Sequence, residues 1–124
     1  MIKAVNAIIL KTEKVEETAA FYQALELPLE RNDNENGPTH FTCDLAGVHF
    51  AIFALSPYDG PERRSKARDT MVGFTVESID KALQRLEPMN VETVLPVEDV
   101  PWGRRTVITD PDGRPVELNE PKAD

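Results

Sequence analysis

Residues 101–121 read PWGRRTVITDPDGRPVELNEP, and this stretch decides the fold. Asp110-Pro111-Asp112-Gly113 is a strong turn signal. Arg105–Thr109 before it and Val116–Asn119 after it read as the two strands of a hairpin. Working backward, Val91–Val97 is another strand, and Pro88 closes the helix that precedes it. That helix carries Ile79, Ala82, Leu83 and Leu86 at i, i+3, i+4, i+7 spacing. Ser78 is its natural N-cap, and Asp80 sits in the first turn, where the helix dipole favours an acid. Met71–Val76 (MVGFTV) is the strand before it. The second half of the chain thus reads β-α-β-β-β.

The first half repeats that order. Ala4–Lys11 (AVNAIILK) is apolar and partly β-branched, a strand. Thr12 can cap the next helix, in which Val15, Ala19, Tyr22 and Leu25 recur at helical spacing and Phe21 widens the stripe. Pro28 is expected to end this helix. A weaker strand comes next at Leu29–Arg31, then the polar loop 32–38. Thr39–Leu45 and Val48–Leu55 pair across a tight Ala46-Gly47 turn. The two copies lie about 64 to 66 residues apart. Neither could bury enough apolar surface alone, so the pair shares a core. The expected organisation is one α+β domain of two βαβββ modules: module one 4–55, a polar linker 56–69, module two 70–121.

Charge and composition bound the function. The formal charge of −8 repels nucleic acid and anionic membranes and favours cationic small molecules, although solubility alone accounts for it. The linker cluster Arg63, Arg64, Lys66 and Arg68 stands out; a solvated loop and an anion or partner contact both fit it. A single cysteine, Cys43, excludes an internal disulfide and fits a reducing compartment. No secretory leader or membrane span is legible, so the expected location is the cytoplasm. Phosphate loops, CxxC pairs, HExxH and GxSxG are absent.

Two segments carry a family resemblance. In residues 8–27, IILKTEKVEETAAFYQALEL, a strand and a turn lead into a helix with the pair Phe21-Tyr22. In residues 101–121 the DPDG turn is followed by a strand holding Glu117. Together they resemble the vicinal oxygen chelate superfamily of glyoxalase I, bleomycin-resistance proteins and extradiol dioxygenases. The resemblance implies cupped mixed β-sheets, a homodimer and four inward positions that supply metal ligands in catalytic members. Here those positions are Ala7, Ala51, Met71 or its neighbour, and Glu117. A methyl group has no lone pair and a thioether is too soft for Fe²⁺, Mn²⁺ or Ni²⁺, so the resemblance carries over the fold and a ligand cavity without the metal chemistry. No cofactor is expected.

Strand alternation assigns further cavity residues. Val48, Phe50, Ile52 and Ala54 are expected to face the helix, and His49, Ala51, Phe53 and Leu55 the cavity. A turn at Ala46-Gly47 places Asp44 opposite His49, Thr42 opposite Ala51 and His40 opposite Phe53. His40, Asp44 and His49 then admit three readings: a half-exposed cross-strand pair, a polar wall or acid/base pair, and an off-pattern metal site. Cys43 falls on the helix side as a small buried hydrophobe. In module two, Glu117 facing inward carries Asn119 with it, and of Arg104 and Arg105 at most one points inward; Arg104 is the candidate. The resemblance implies that an aromatic at the place of Trp102 stacks on a flat ligand; by itself Trp102 equally fits an anchor in the core or a dimer interface. Tyr22 is expected in the core with its hydroxyl at the rim. The leading expectation is a small-molecule binder that sequesters a flat or cationic ligand. A metal-dependent lyase or oxygenase, and a regulatory module with a vestigial cavity, are the alternatives.

Overall fold

The element order is β1 (Ala7–Thr12), α1 (Val15–Ala24), β2 (Glu30–Asn32), β3 (His40–Leu45), β4 (Val48–Ala54), β5 (Val72–Thr75), α2 (Ile79–Leu86), β6 (Thr93–Val100), β7 (Gly103–Thr109) and β8 (Pro115–Pro121). The computed structural model describes residues 1–33, 38–55 and 70–123. The linker 56–69, with Arg63, Arg64, Lys66 and Arg68, and part of the 32–38 loop lie outside the described residues. Contacts divide the chain into two compact units, 1–58 and 59–124. Each holds a four-stranded mixed sheet, ordered β1-β4-β3-β2 in the first and β5-β8-β7-β6 in the second. Renumbering one order converts it into the other, so the repeat legible in the sequence is a repeat of topology. In each module the outer parallel pair, β1 with β4 or β5 with β8, is bridged by a chain that includes the helix.

In module one the helix covers one sheet face. Phe21 and Tyr22 are fully buried and meet edge to face at 4.9 Å, and Tyr22 reaches Phe50 of β4 at 5.4 Å. Leu10, Phe41, Phe50 and Ile52 complete this core. Burying each such side chain contributes about 1.5–3 kcal/mol. The Tyr22 hydroxyl is buried with its ring, not placed at a rim. Two local expectations are corrected. The N-cap position belongs to Lys14, and the Thr12 hydroxyl instead accepts the Lys14 N–H at 2.9 Å, closing the turn that leads into the helix. The helix ends at Ala24, four residues before Pro28. There Glu26 adopts a left-handed φ of 70°, and Glu26 and Leu27 donate to the carbonyls of Gln23 and Tyr22. That is a Schellman ending, which satisfies the last carbonyls without the proline.

Hairpin β3–β4 turns at Ala46-Gly47, both at positive φ (50° and 83°), as a primed two-residue turn requires. Its register, Asp44↔His49, Thr42↔Ala51 and Cys43↔Phe50, places Cys43 on the helix side. Burial there, helped by the charge of Asp44, pushes the Cys43 thiol above its ordinary range. The folded protein is therefore expected to resist a chromogenic disulfide reagent at pH 8 and to react at once in denaturant. Fast labelling of the native chain would show that β3 opens locally.

In module two, Ile79, Leu86, Ile108, Val116 and Leu118 are fully buried between α2 and its sheet. Ser78 caps α2 as expected, accepting the Lys81 N–H at 3.2 Å, and Glu120 of β8 accepts the Ile79 N–H at 2.8 Å. Strand β6 begins at Thr93 and runs on to Val100, beyond the expected Val97, because Asp99 and Val100 pair with Arg104 and Gly103 around the Pro101-Trp102 turn. The DPDG turn folds on a buried ion pair: Arg114 and Asp110 are 4% and 3% exposed, with Nη1 and Oδ2 2.6 Å apart. Among the described residues no helix is long and apolar enough to cross a membrane.

Candidate functional site

Pairing and alternation define the face of each sheet turned away from its helix. In module one it carries Ala7, Ile9 and Lys11 of β1, His49, Ala51 and Phe53 of β4, and Thr42 and Asp44 of β3. The two histidines do not converge. His49 Nδ1 lies 3.0 Å from Asp44 Oδ1 beside the turn, in a pair whose side chains are 47% and 83% exposed. Four residues along β3, about 13 Å at strand rise, the His40 ring stacks on Phe53 with centroids 4.7 Å apart and planes 10° apart. So solvated a contact as Asp44 with His49 contributes at most about 1 kcal/mol. No group of three or more His, Cys, Asp or Glu side chains among the described residues is arranged to hold a metal ion.

In module two the corresponding face carries Gly73, Thr75, Glu117, Asn119, Val107 and Arg105, with Glu98 of β6 opposite Arg105. These side chains are linked. Trp102 Nε1 donates to Asn119 Oδ1 at 3.1 Å, and Asn119 Nδ2 donates to Glu117 Oε1 at 2.7 Å. Glu117 Oε2 lies 3.6 Å from Arg105 Nη1. Gly73 leaves space for the carboxylate, because a Cβ there would stand 3.3 Å from Glu117 Oε1. The Trp102 indole is 55% exposed although its N–H is held, which removes it from the core of the described residues. Met71, the residue before β5, is 46% exposed.

Of the neighbouring arginines it is Arg105 that lies beside Glu117. Arg104 is on the other face, 3.6 Å from Asp80 of α2 and 3.8 Å from Glu120. The hairpin register decides this: Thr109 pairs with Pro115, so Arg105 falls opposite Asn119 and Arg104 opposite Glu120. Counting back from the DPDG turn in steps of two would have found Arg105. Glu98 was not foreseeable, because register shifts interrupt β6 between Thr93 and Leu95 and between Leu95 and Glu98. A separate cleft of about 600 Å³ opens on the helix side of this module, lined by residues that include Asp80, Leu83, Leu86, Glu87, Val91 and Ile108. It is on the opposite side of the sheet from Glu117 and gathers no reactive constellation.

The profile of the Glyoxalase/Bleomycin resistance protein/Dioxygenase superfamily matches residues 4–118. The chain belongs to that superfamily. A relative in Bacillus subtilis (strain 168), the uncharacterised protein YwkD, is 31% identical over 127 residues, spanning 97% of this chain and 98% of its own. Solved superfamily-like folds include TnmS3, an antibiotic binding protein from Streptomyces sp. CB03234 (TM-score 0.67, 19% identity, 98% of each chain). The fosfomycin resistance protein FosX of Listeria monocytogenes is equally similar in fold (TM-score 0.68, 20% identity, 98% of this chain and 96% of that one). At these identities the solved structures establish the superfamily fold.

Proposed function

We propose that the chain is a superfamily member that binds a small flat or cationic molecule on the Glu117 face of module two and works by holding it, without a resident metal ion. One observation carries this reading: the chain Trp102–Asn119–Glu117 fixes an exposed indole and a carboxylate on one face. A side chain already held in place loses little further freedom when a ligand stacks on it. An indole face attracts planar and cationic groups, and a carboxylate complements the latter. The antibiotic binding protein and the fosfomycin resistance protein among its structural neighbours favour a small-molecule ligand.

The donor chemistry supports a metal-free site. At the four positions that the resemblance implies, Ala7 and Ala51 offer no lone pair and Met71 only a thioether. Glu117 is engaged by Asn119 and stands beside a guanidinium, whose charge opposes a divalent cation. These residues do not fit the ion. A cytoplasmic homodimer belongs to the same reading, supported by the buried lone Cys43 and by the exposed apolar side chains of Ile2, Val5 and Ile9.

Proflavine, a flat cation, tests the proposal. Because Trp102 is the single tryptophan, its fluorescence reports on one residue. Proflavine is expected to quench that signal and to stabilise the fold by RT ln(1 + [L]/Kd), about 2.7 kcal/mol at a hundredfold excess over Kd. Trp102→Ala is expected to weaken binding about tenfold or more with an unchanged fold. Stoichiometric nickel, zinc, iron or manganese in the purified protein, lost together with an activity on chelation, would instead establish the metal-dependent enzyme.

A further inference from the structure

We infer that Gly73 is the specificity-determining residue of the Glu117 face: it leaves a notch the size of a methyl group, and the ligand that fits places a primary ammonium there, carried on a planar aromatic ring. This rests on the small-molecule reading above and names the chemistry of its ligand. Gly73 is on β5, is exposed, and pairs with Glu117 of β8. A Cβ built on it would stand 3.3 Å from Glu117 Oε1, 3.7 Å from Glu117 Cβ and 3.8 Å from Asn119 Nδ2. The backbone does not ask for glycine here, because Gly73 lacks the positive φ of Gly47, Gly103 and Gly113. Nor does Glu117 ask for it, since a 3.3 Å contact with the end of a flexible side chain is relieved by a shift of a few tenths of an ångström. Glycine inside a strand weakens it and marks a place where another group comes close to the backbone.

The walls of the notch decide what enters it. Glu117 Oε1 accepts from Asn119 Nδ2 at 2.7 Å, and a carboxylate oxygen has a second lone pair to offer. A nitrogen near the Cβ position reaches that lone pair by moving a few tenths of an ångström, to the roughly 2.8 Å of a charge-assisted bond. Charge selects a cation. Glu98 and Glu117 stand 3.0 and 3.6 Å from Arg105, so the three groups sum to one negative charge, which one ammonium cancels. A ligand carboxylate meets that charge with Oε1 at close range. Size selects the kind of cation. The notch holds a single NH₃⁺ group, whereas a quaternary ammonium has no N–H to give and brings methyl groups against the strand. The indole completes the site. Asn119, which holds Glu117, also accepts the Trp102 N–H at 3.1 Å, so one amide separates the carboxylate from the stacking platform. An aromatic molecule on Trp102 thus reaches the notch with an ammonium one carbon from its ring.

The test is a titration of ¹⁵N-labelled protein with 2-naphthylmethylammonium, its N,N,N-trimethyl counterpart and uncharged 2-ethylnaphthalene. The Trp102 indole N–H and the Gly73 amide are followed. The primary ammonium is expected to shift both signals and to bind about tenfold tighter than either other compound, the difference one hydrogen bond between charged groups makes. Gly73→Ala fills the notch and is expected to cut that preference to within about twofold, with urea unfolding as the check that the fold is intact. Glu117→Gln keeps an acceptor for Asn119 but removes the charge, and is expected to cut the preference likewise. In both variants the naphthalene ring still shifts the Trp102 signal. A preference that survives in Gly73→Ala, or equal binding of the primary ammonium and either other compound by the unaltered protein, would overturn the assignment and leave the binding reading standing. If none of the three moves the Trp102 signal, both fall.

Discussion

Asp110→Ala is expected to lower the stability of the chain by about 3–5 kcal/mol, the range for stripping one partner from a buried ion pair. The Asp110 carboxylate is inside the DPDG turn. Its Oδ2 meets Arg114 Nη1 at 2.6 Å, and its Oδ1 accepts the N–H groups of Asp112 and Arg114 at 2.9 and 3.0 Å. Alanine leaves a guanidinium that is 4% exposed without this partner, and two turn N–H groups without their acceptor. Arg114 keeps its longer 3.3 Å hydrogen bond to Asp112, whose side chain is 9% exposed, and this offsets only part of the loss. Urea unfolding followed by circular dichroism measures the loss. The double variant Asp110→Ala, Arg114→Met is expected to recover part of it, because the buried guanidinium is then removed together with its partner. A loss below about 1 kcal/mol in the single variant would mean that the turn relaxes and lets water reach Arg114. The effect reaches the site because this turn sets the β7–β8 register, and with it the placing of Arg105 opposite Asn119.

Gly103→Ala is the second large effect, expected at roughly 3 kcal/mol with loss of ligand binding on the Trp102 face. Gly103 holds φ at +146°, where residues with a Cβ are strained. A Cβ there would run into the Glu120 carbonyl oxygen and press on Lys122 N and the Pro121 carbonyl carbon, all backbone atoms with no side-chain rotation to yield. The end of the β7–β8 ladder must shift to make room, and Trp102 is the adjacent residue, its carbonyl accepting the Lys122 N–H at 3.2 Å. The indole then loses its fixed distance to Asn119. The measurement is again urea unfolding, paired with proflavine quenching of Trp102. A stable variant with unchanged quenching would show that the strand end accommodates a methyl group and that Gly103 does not position the indole.

The limits of sequence reasoning show at particular residues. The Ala46-Gly47 turn is legible because few two-residue connections suit a hairpin, and the pairing of Asp44 with His49 comes from it. The same reasoning puts both histidines on one face without showing that strand rise separates them, so His40 meets Phe53 and His49 meets Asp44. Choosing Arg104 over Arg105 leaves the register of the DPDG hairpin uncounted, and one residue changes the face. Arg114 carries no signal of its own, since an arginine beside a turn is ordinarily solvated and only the folded turn shows that it is buried. Pro28 suggests the ending of α1, whereas Glu26 and Leu27 end it by backbone bonds that no residue type announces.

The sequence by itself determined the repeated β-α-β-β-β order, the superfamily, and the absence of donor atoms at Ala7 and Ala51. These come from periodicity, turn chemistry and side-chain composition, which are local properties. Only the tertiary structure decided that Arg105, Glu117, Asn119 and Trp102 stand together, and that Glu98 of β6 stands beside them. Those facts depend on register and on a bulged edge strand. Register is a cooperative outcome of every pair in the sheet, so no short stretch of sequence contains it.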